Sequence, residues 1–295
     1  AATAKDMDEG CAAFAQLRNK RLWLKLYCMD PSHKLAVCHE KSRSTAFFSA
    51  SLSPDSYFCR LLGVPTECSI YHLPSPFPPE NLCVLLQGTL STTYRDREAS
   101  LEDICHCIAA AFMAHPGNTM AFFPSYRYMQ QAYSLLMALY PDLPAIIQRP
   151  GMKEAEREAF LAQFQGDGSE PLLAFVVMGG IFGEGIDLSG QRLIGAVIVG
   201  IGLPQVDAER ELLRGYHGSR EEDGFAFAYA YPGFNRVLQA AGRVIRTESD
   251  RGTLLLIDPR FNQEQLQQWM PVWWQPLHAV ETPEDIRRTL QDFWD

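Results

Sequence analysis

Two stretches of this chain, Leu172-Leu173-Ala174-Phe175-Val176-Val177 and Ala196-Val197-Ile198-Val199, are apolar with almost no polar alternation. A strand with one wet face alternates, so unbroken runs of this length suit central strands covered on both faces. Strand-like apolar runs lie at 81–87, 119–123, 144–148, 172–178, 194–201, 225–229 and 252–258. Helical patterns fill the intervals at about 100–114, 127–140, 152–165, 205–217, 234–247 and 282–294. Strands alternating with helices predict an α/β fold, a parallel sheet with helices on both faces.

The 295 residues allow one large or two ordinary domains. Pro74, Pro76, Pro78 and Pro79 fall within six positions, which forbids a regular helix and marks a linker. It separates residues 1–72 from an expected sheet domain at 73–295. No apolar run approaches the ~20 residues of a membrane-spanning helix, and no signal-peptide pattern opens the chain. The eight cysteines are scattered without C-x-x-C pairs, as expected of reduced thiols in a cytoplasmic protein. Cys105-His106-Cys107 sits in a helical pattern, where positions two apart point to different sides, so no metal is expected there. Ile286, Leu290, Phe293 and Trp294 form a core-facing stripe on the final helix, the mark of a packed C-terminal extension.

The most informative short segment is Gln239-Ala240-Ala241-Gly242-Arg243-Val244-Ile245-Arg246. If residues 234–246 are helical, Phe234, Val237, Leu238, Ala241, Val244 and Ile245 share one face. Asn235, Arg236, Gln239, Arg243 and Arg246 share the other, with Gly242 at its edge. Two guanidiniums one turn apart can grip one anion through their planar forks of donors. Taken alone, the segment also suits an amphipathic surface helix with solvated arginines.

The pattern Q-x-x-G-R-x-x-R resembles motif VI of superfamily 2 helicases, and the chain is similar to their XPD/DinG branch over about residues 40–260. Ser49-Ala50-Ser51-Leu52-Ser53-Pro54 resembles motif III, with Ser51 where threonine is usual. Ser75-Pro76-Phe77 followed by Glu80-Asn81 is similar to the entry to the second motor domain. Phe122-Phe123-Pro124-Ser125-Tyr126 resembles motif IV, and Gly183-Glu184-Gly185-Ile186-Asp187-Leu188-Ser189-Gly190 resembles motif V. Gly183 and Ser189 replace the tryptophan and proline common in DinG-like proteins.

The resemblance implies a RecA-like second motor domain at 73–295, with residues 1–72 as the tail of a first one. It implies an ATP-dependent 5′-to-3′ DNA helicase whose nucleotide, with Mg2+, lies in the cleft between the two. Arg243 and Arg246 would act as arginine fingers, with Gln239, Gly242, Glu184, Gly185 and Asp187 at the cleft. Ser125, Tyr126 and Arg149 would lie on the single-stranded DNA path, while Ser49, Ala50 and Ser51 would couple the two sites. No lysine follows a glycine, so the phosphate loop G-x-x-x-x-G-K-[ST] is missing, as is a magnesium-holding D-E-x-H box. The chain therefore reads as the C-terminal part of a longer helicase, expected to be inactive alone. An iron–sulfur cluster in the whole protein would belong to the first domain.

Charge argues the other way. The net charge is −9, whereas proteins that hold phosphate backbones usually show a basic surface. Residues 262–295 carry six acidic residues against two arginines, which leaves the rest nearer to neutral. The competing reading is a non-catalytic nucleic-acid or protein-interaction module that keeps the fold, a role for which the arginine pair would be superfluous.

Overall fold

The computed structural model describes residues 7–49, 51–65, 67–166, 168, 170–182 and 188–295. The chain divides into two compact units, one made of Ala1–His72 with Pro204–Pro232 and the other of Leu73–Leu203 with Gly233–Asp295.

The first unit opens with an antiparallel hairpin, β1 (Cys11–Arg18) and β2 (Arg21–Cys28). Its two-residue turn has positive φ at both Asn19 and Lys20, 49° and 62°, which suits the right-handed twist of a tight hairpin. Helices α1 (Ser32–Glu40) and α2 (Asp55–Leu62) follow. Between them Phe48 stands almost fully exposed. The segment 204–232 adds α6 (Ala208–Gly218) and a π-helical turn at Ala226–Ala230. Arg60 ties this unit together, donating Nε to Glu222 at 2.6 Å and Nη2 to Asp30 at 2.6 Å. Burial opposes the Asp30 charge, but the Arg60 and Ser32 donors outweigh it and hold the carboxyl far below its usual range.

The second unit carries a seven-stranded sheet: β3 (Leu82–Gln87), β4 (Thr119–Phe123), β5 (Ala145–Ile147), β6 (Leu173–Val177), β7 (Gly195–Val199), β8 (Gly252–Ile257) and β9 (Leu277–Ala279). The order is β5-β6-β4-β7-β8-β3-β9 and every neighbouring pair is parallel. Crossover helices make that possible: α3 (Leu101–Ala114), α4 (Tyr126–Leu139), α5 (Glu154–Leu161) and α7 (Tyr231–Ala241), followed by α8 (Glu264–Trp269) and α9 (Pro283–Trp294).

Leu85, Ala121, Phe123, Phe175, Val197 and Leu255 join the buried residues of α3, α4 and α9 in one core layer. Their even-numbered neighbours Leu86, Phe122, Val176, Ile198 and Leu256 are equally buried on the opposite face. A second helical layer must cover that face, and Phe160, Phe234, Val237 and Leu266 of α5, α7 and α8 are buried accordingly. The unbroken apolar runs are thus central strands, as their composition requires. Ile286 and Leu290 of α9 are buried, whereas Phe293 and Trp294 are half-buried. Among the described residues no helix is long and apolar enough to cross a membrane.

Two expectations fail. The run 225–229 is helical rather than a strand, because its buried stretch from Ala226 to Tyr229 carries no alternation to distinguish the two. The helix expected over 234–247 ends at Ala241. The N–H groups of Arg243 and Val244 bond the carbonyls of Ala240 and Ala241, three residues back, so the last turn tightens and the side chains rotate away from α-helical positions.

Candidate nucleotide and nucleic-acid site

That tightened turn changes where the arginines stand. Arg243 is only 9% exposed, not on a solvent-facing polar stripe, while Arg246 and Gly242 are exposed and Gln239 is half-buried. A Cβ on Gly252 would collide with Val244 Cγ1, so Gly252 permits the close approach to the start of β8.

Asp250 fixes the segment that carries Arg246. It is buried, and its Oδ2 accepts from the N–H of Arg246 at 2.7 Å and of Thr247 at 2.9 Å. Its Oδ1 accepts from the Thr247 hydroxyl at 2.6 Å and from Gly190 N–H at 3.2 Å. Burial opposes ionisation here, yet the Thr247 hydroxyl and the three N–H groups outweigh it and hold the carboxyl below its usual value. One carboxylate therefore joins the motif VI segment to the last residue of the motif V segment.

The chain that leads into motif V also approaches α7, the helix that leads into motif VI. Gly179, at φ +67°, lies under Arg236 of α7, whose Nε would be 2.8 Å from a Cβ at that position. Arg236 Nη1 donates to Gly202 O at 3.3 Å. Glu184, Gly185 and Asp187 lie outside the described residues, as does Ala50. Gly179 and Gly190 flank that stretch, and each adjoins the motif VI element.

Motif IV is built from the end of β4. The Ser125 hydroxyl caps α4, accepting from Tyr128 N–H at 3.4 Å. The Tyr126 hydroxyl accepts from Gln148 Nε2 at 2.8 Å, and Gln148 Oε1 accepts from Val177 N–H at 2.8 Å. Gln148 is buried and Arg149 exposed at the same strand end. Gln148 is thus a bracket between motif IV and the strand that leads into motif V, and Tyr126 is half-buried. Ser49 and Ser51 belong to the first unit, where Ser51 N–H donates to Ser49 Oγ at 3.2 Å.

Sequence reasoning missed Asp250 and the bridging role of Gln148. Both act on backbone groups far away in the chain, and the one local hint was Thr247 three residues before Asp250, the spacing of a side-chain-closed turn. The donors gathered at this site are guanidiniums and amides, which fit phosphate oxygens. Among the described residues no group of three His, Cys, Asp or Glu side chains is placed to hold a metal ion. Cys105 and Cys107 are core side chains whose thiols burial pushes up to about 12, and His106 bonds Tyr140 at 2.7 Å.

The family model of the helicase C-terminal domain matches residues 108–277. The ATP-dependent DNA helicase chl1 of Schizosaccharomyces pombe is 25% identical over 295 residues, covering 92% of this chain and 35% of the relative. The general transcription and DNA repair factor IIH helicase subunit XPD of Dictyostelium discoideum is 26% identical over 275 residues, covering 85% and 35%. The chain thus spans about a third of the length of these relatives. Among solved structures, apo XPD superposes with a TM-score of 0.64 at 18% identity, covering 88% of this chain and 52% of that one. That likeness shows the RecA-like fold. The chain belongs to the helicase C-terminal domain family, in its XPD/DinG-like superfamily 2 form.

Proposed function

We propose that this chain serves as the second motor domain of an ATP-dependent DNA helicase that moves 5′ to 3′ on single-stranded DNA. The observation that carries the reading is the Asp250 clamp, which sets exposed Arg246 on a fixed turn beside the end of motif V. In the full-length protein a first motor domain would face this turn and bring the phosphate loop and Mg2+. ATP supplies the phosphoryl group whose transfer releases the energy of unwinding. As that group separates, negative charge spreads over its oxygens, and a guanidinium already in place stabilises it without reorganising. Arg246 is assigned that role. Arg243, being buried, is assigned to hold the turn and to present its fork inward, with Gln239 and Gly242 beside it. Ser125, Tyr126 and Arg149 are assigned to the DNA side, and Ser49, Ala50 and Ser51 to coupling.

DNA-stimulated phosphate release by the full-length protein tests the reading. Arg246→Ala is expected to lower turnover by about 10³-fold or more while single-strand binding persists. Arg246→Lys is expected to fail too, because an ammonium cannot reproduce the fork. Wild-type turnover in Arg246→Ala would refute the assignment. The chain by itself is expected to release no phosphate above background, because positioning of the β- and γ-phosphates is most of this catalysis.

A further inference from the structure

The loop from Gly88 to Ser100, at the carboxyl end of β3, is absorbed by none of the motifs, yet it is anchored along its length. Gln87 Oε1 accepts from Thr89 and Leu90 N–H, the Thr92 hydroxyl donates to buried Asp258, and Asp96 accepts from Ser91 and Thr93 at 2.7 Å each. Arg260 in turn grips Asp258 with two donors at 2.7 Å. A loop so tied has few conformations left, and what it leaves outside is Tyr94, 75% exposed.

Tyr94 is backed by a stack. The Arg97 guanidinium carbon lies 4.8 Å from the Tyr94 ring centroid and 4.8 Å from that of Tyr128, a fully buried residue of α4. Arg97 Nε is buried and makes no hydrogen bond among the described residues, and the two rings hold this guanidinium. Helix α4 and the loop after β3 are thereby joined through three planar groups, the outermost open to solvent.

Charge lies along the same rim. All seven strands are parallel, so the residues that follow them share one edge of the sheet. Arg149 follows β5, Arg127 lies in the first turn of α4 after β4, and Arg95 adjoins Tyr94 after β3. All three are exposed, and none makes a hydrogen bond or ion pair among the described residues. In a chain of net charge −9, these guanidiniums concentrate positive charge at one rim, where a phosphate backbone can lie, with Arg95 also stabilising the charge of neighbouring Asp96.

We propose that Tyr94 is a stacking platform for one unpaired base of single-stranded DNA, stiffened by Arg97 and Tyr128 and flanked by Arg95 for the backbone. The proposal rests on the helicase reading. Every base has a π-face, so such a platform tolerates any sequence.

The test is fluorescence anisotropy of the full-length protein with a labelled oligothymidine and with an abasic strand of equal length. Tyr94→Ala is expected to weaken oligothymidine binding about tenfold and to leave abasic binding unchanged, because only the former offers a base to stack. Tyr94→Trp is expected to restore it, and Arg95→Ala to weaken both strands alike. Equal affinity of Tyr94→Ala and wild type for oligothymidine, or equal losses on both strands, would overturn the platform and leave the helicase reading standing. A wild-type protein that binds no single strand would overturn both.

Discussion

The Asp250 carboxylate accepts the backbone N–H of Gly190 at 3.2 Å, across 60 residues of chain. The same side chain caps the turn at Arg246 and Thr247, so one buried charge serves two loops. Removing it leaves three N–H groups and a hydroxyl without their acceptor. Asp250→Ala is expected to cost about 2–4 kcal/mol in urea unfolding, since bonds to a charged acceptor exceed those between neutral groups. A loss under about 0.5 kcal/mol, the range of an ordinary surface change, would show the clamp to be idle.

The clamp also has a pH signature. The Asp250 pKa is lowered from the ordinary 3.8 because its donors outweigh the effect of burial. The unfolded chain therefore takes up this proton at higher pH than the native one. The stabilisation is fully present above the ordinary carboxylate value and drains away as pH falls towards the lowered native pKa. Urea midpoints measured downward from about pH 5 should fall more steeply for wild type than for Asp250→Asn. Parallel slopes would contradict a depressed pKa.

Arg243 and Arg246 should separate in stability. Arg246 is exposed, so its replacement by alanine is expected to shift unfolding by no more than about 0.5 kcal/mol. Arg243 is 9% exposed and its stem packs inside, so Arg243→Ala is expected to cost about 1–3 kcal/mol. Thermal melts of the two variants decide it, and equal melting temperatures would mean that the buried stem contributes nothing.

Gln148 offers a third contrast. Gln148→Leu deprives the Val177 N–H of its acceptor inside the sheet and is expected to cost about 1–3 kcal/mol. Tyr126→Phe removes only a half-buried hydroxyl and is expected to cost less than about 1 kcal/mol. Denaturant titrations in which Tyr126→Phe is the weaker of the two would reverse the assignment of the bracket.

The sheet was legible because burial on both faces writes itself into composition: Leu172 to Val177 needs no partner to be identified as a central strand. The same property hid the turn at Ala226–Ala230, since an apolar run buried all round has no period to read. The hairpin of β1 and β2 escaped notice because its turn is Asn19-Lys20 rather than an Asn-Gly pair. Arg243 was misplaced for a different reason. A periodicity of 100° per residue holds only while the helix lasts, and this one stops two residues earlier. Asp250, Gln148 and Arg97 act through partners that only the folded chain brings near.

Helix α7 spans about 16 Å at the usual rise per residue. Near its start Gly233 packs against Gly202, just beyond the carboxyl end of β7, and three residues past its end Val244 packs on Gly252, where β8 begins. The helix therefore reaches from one rim of the sheet to the other as a short stiff rod. Stiffness removes a degree of freedom: the arginines at one rim and the loops around Gly179 and Gly202 at the other cannot tilt separately. A push on either end is felt at both.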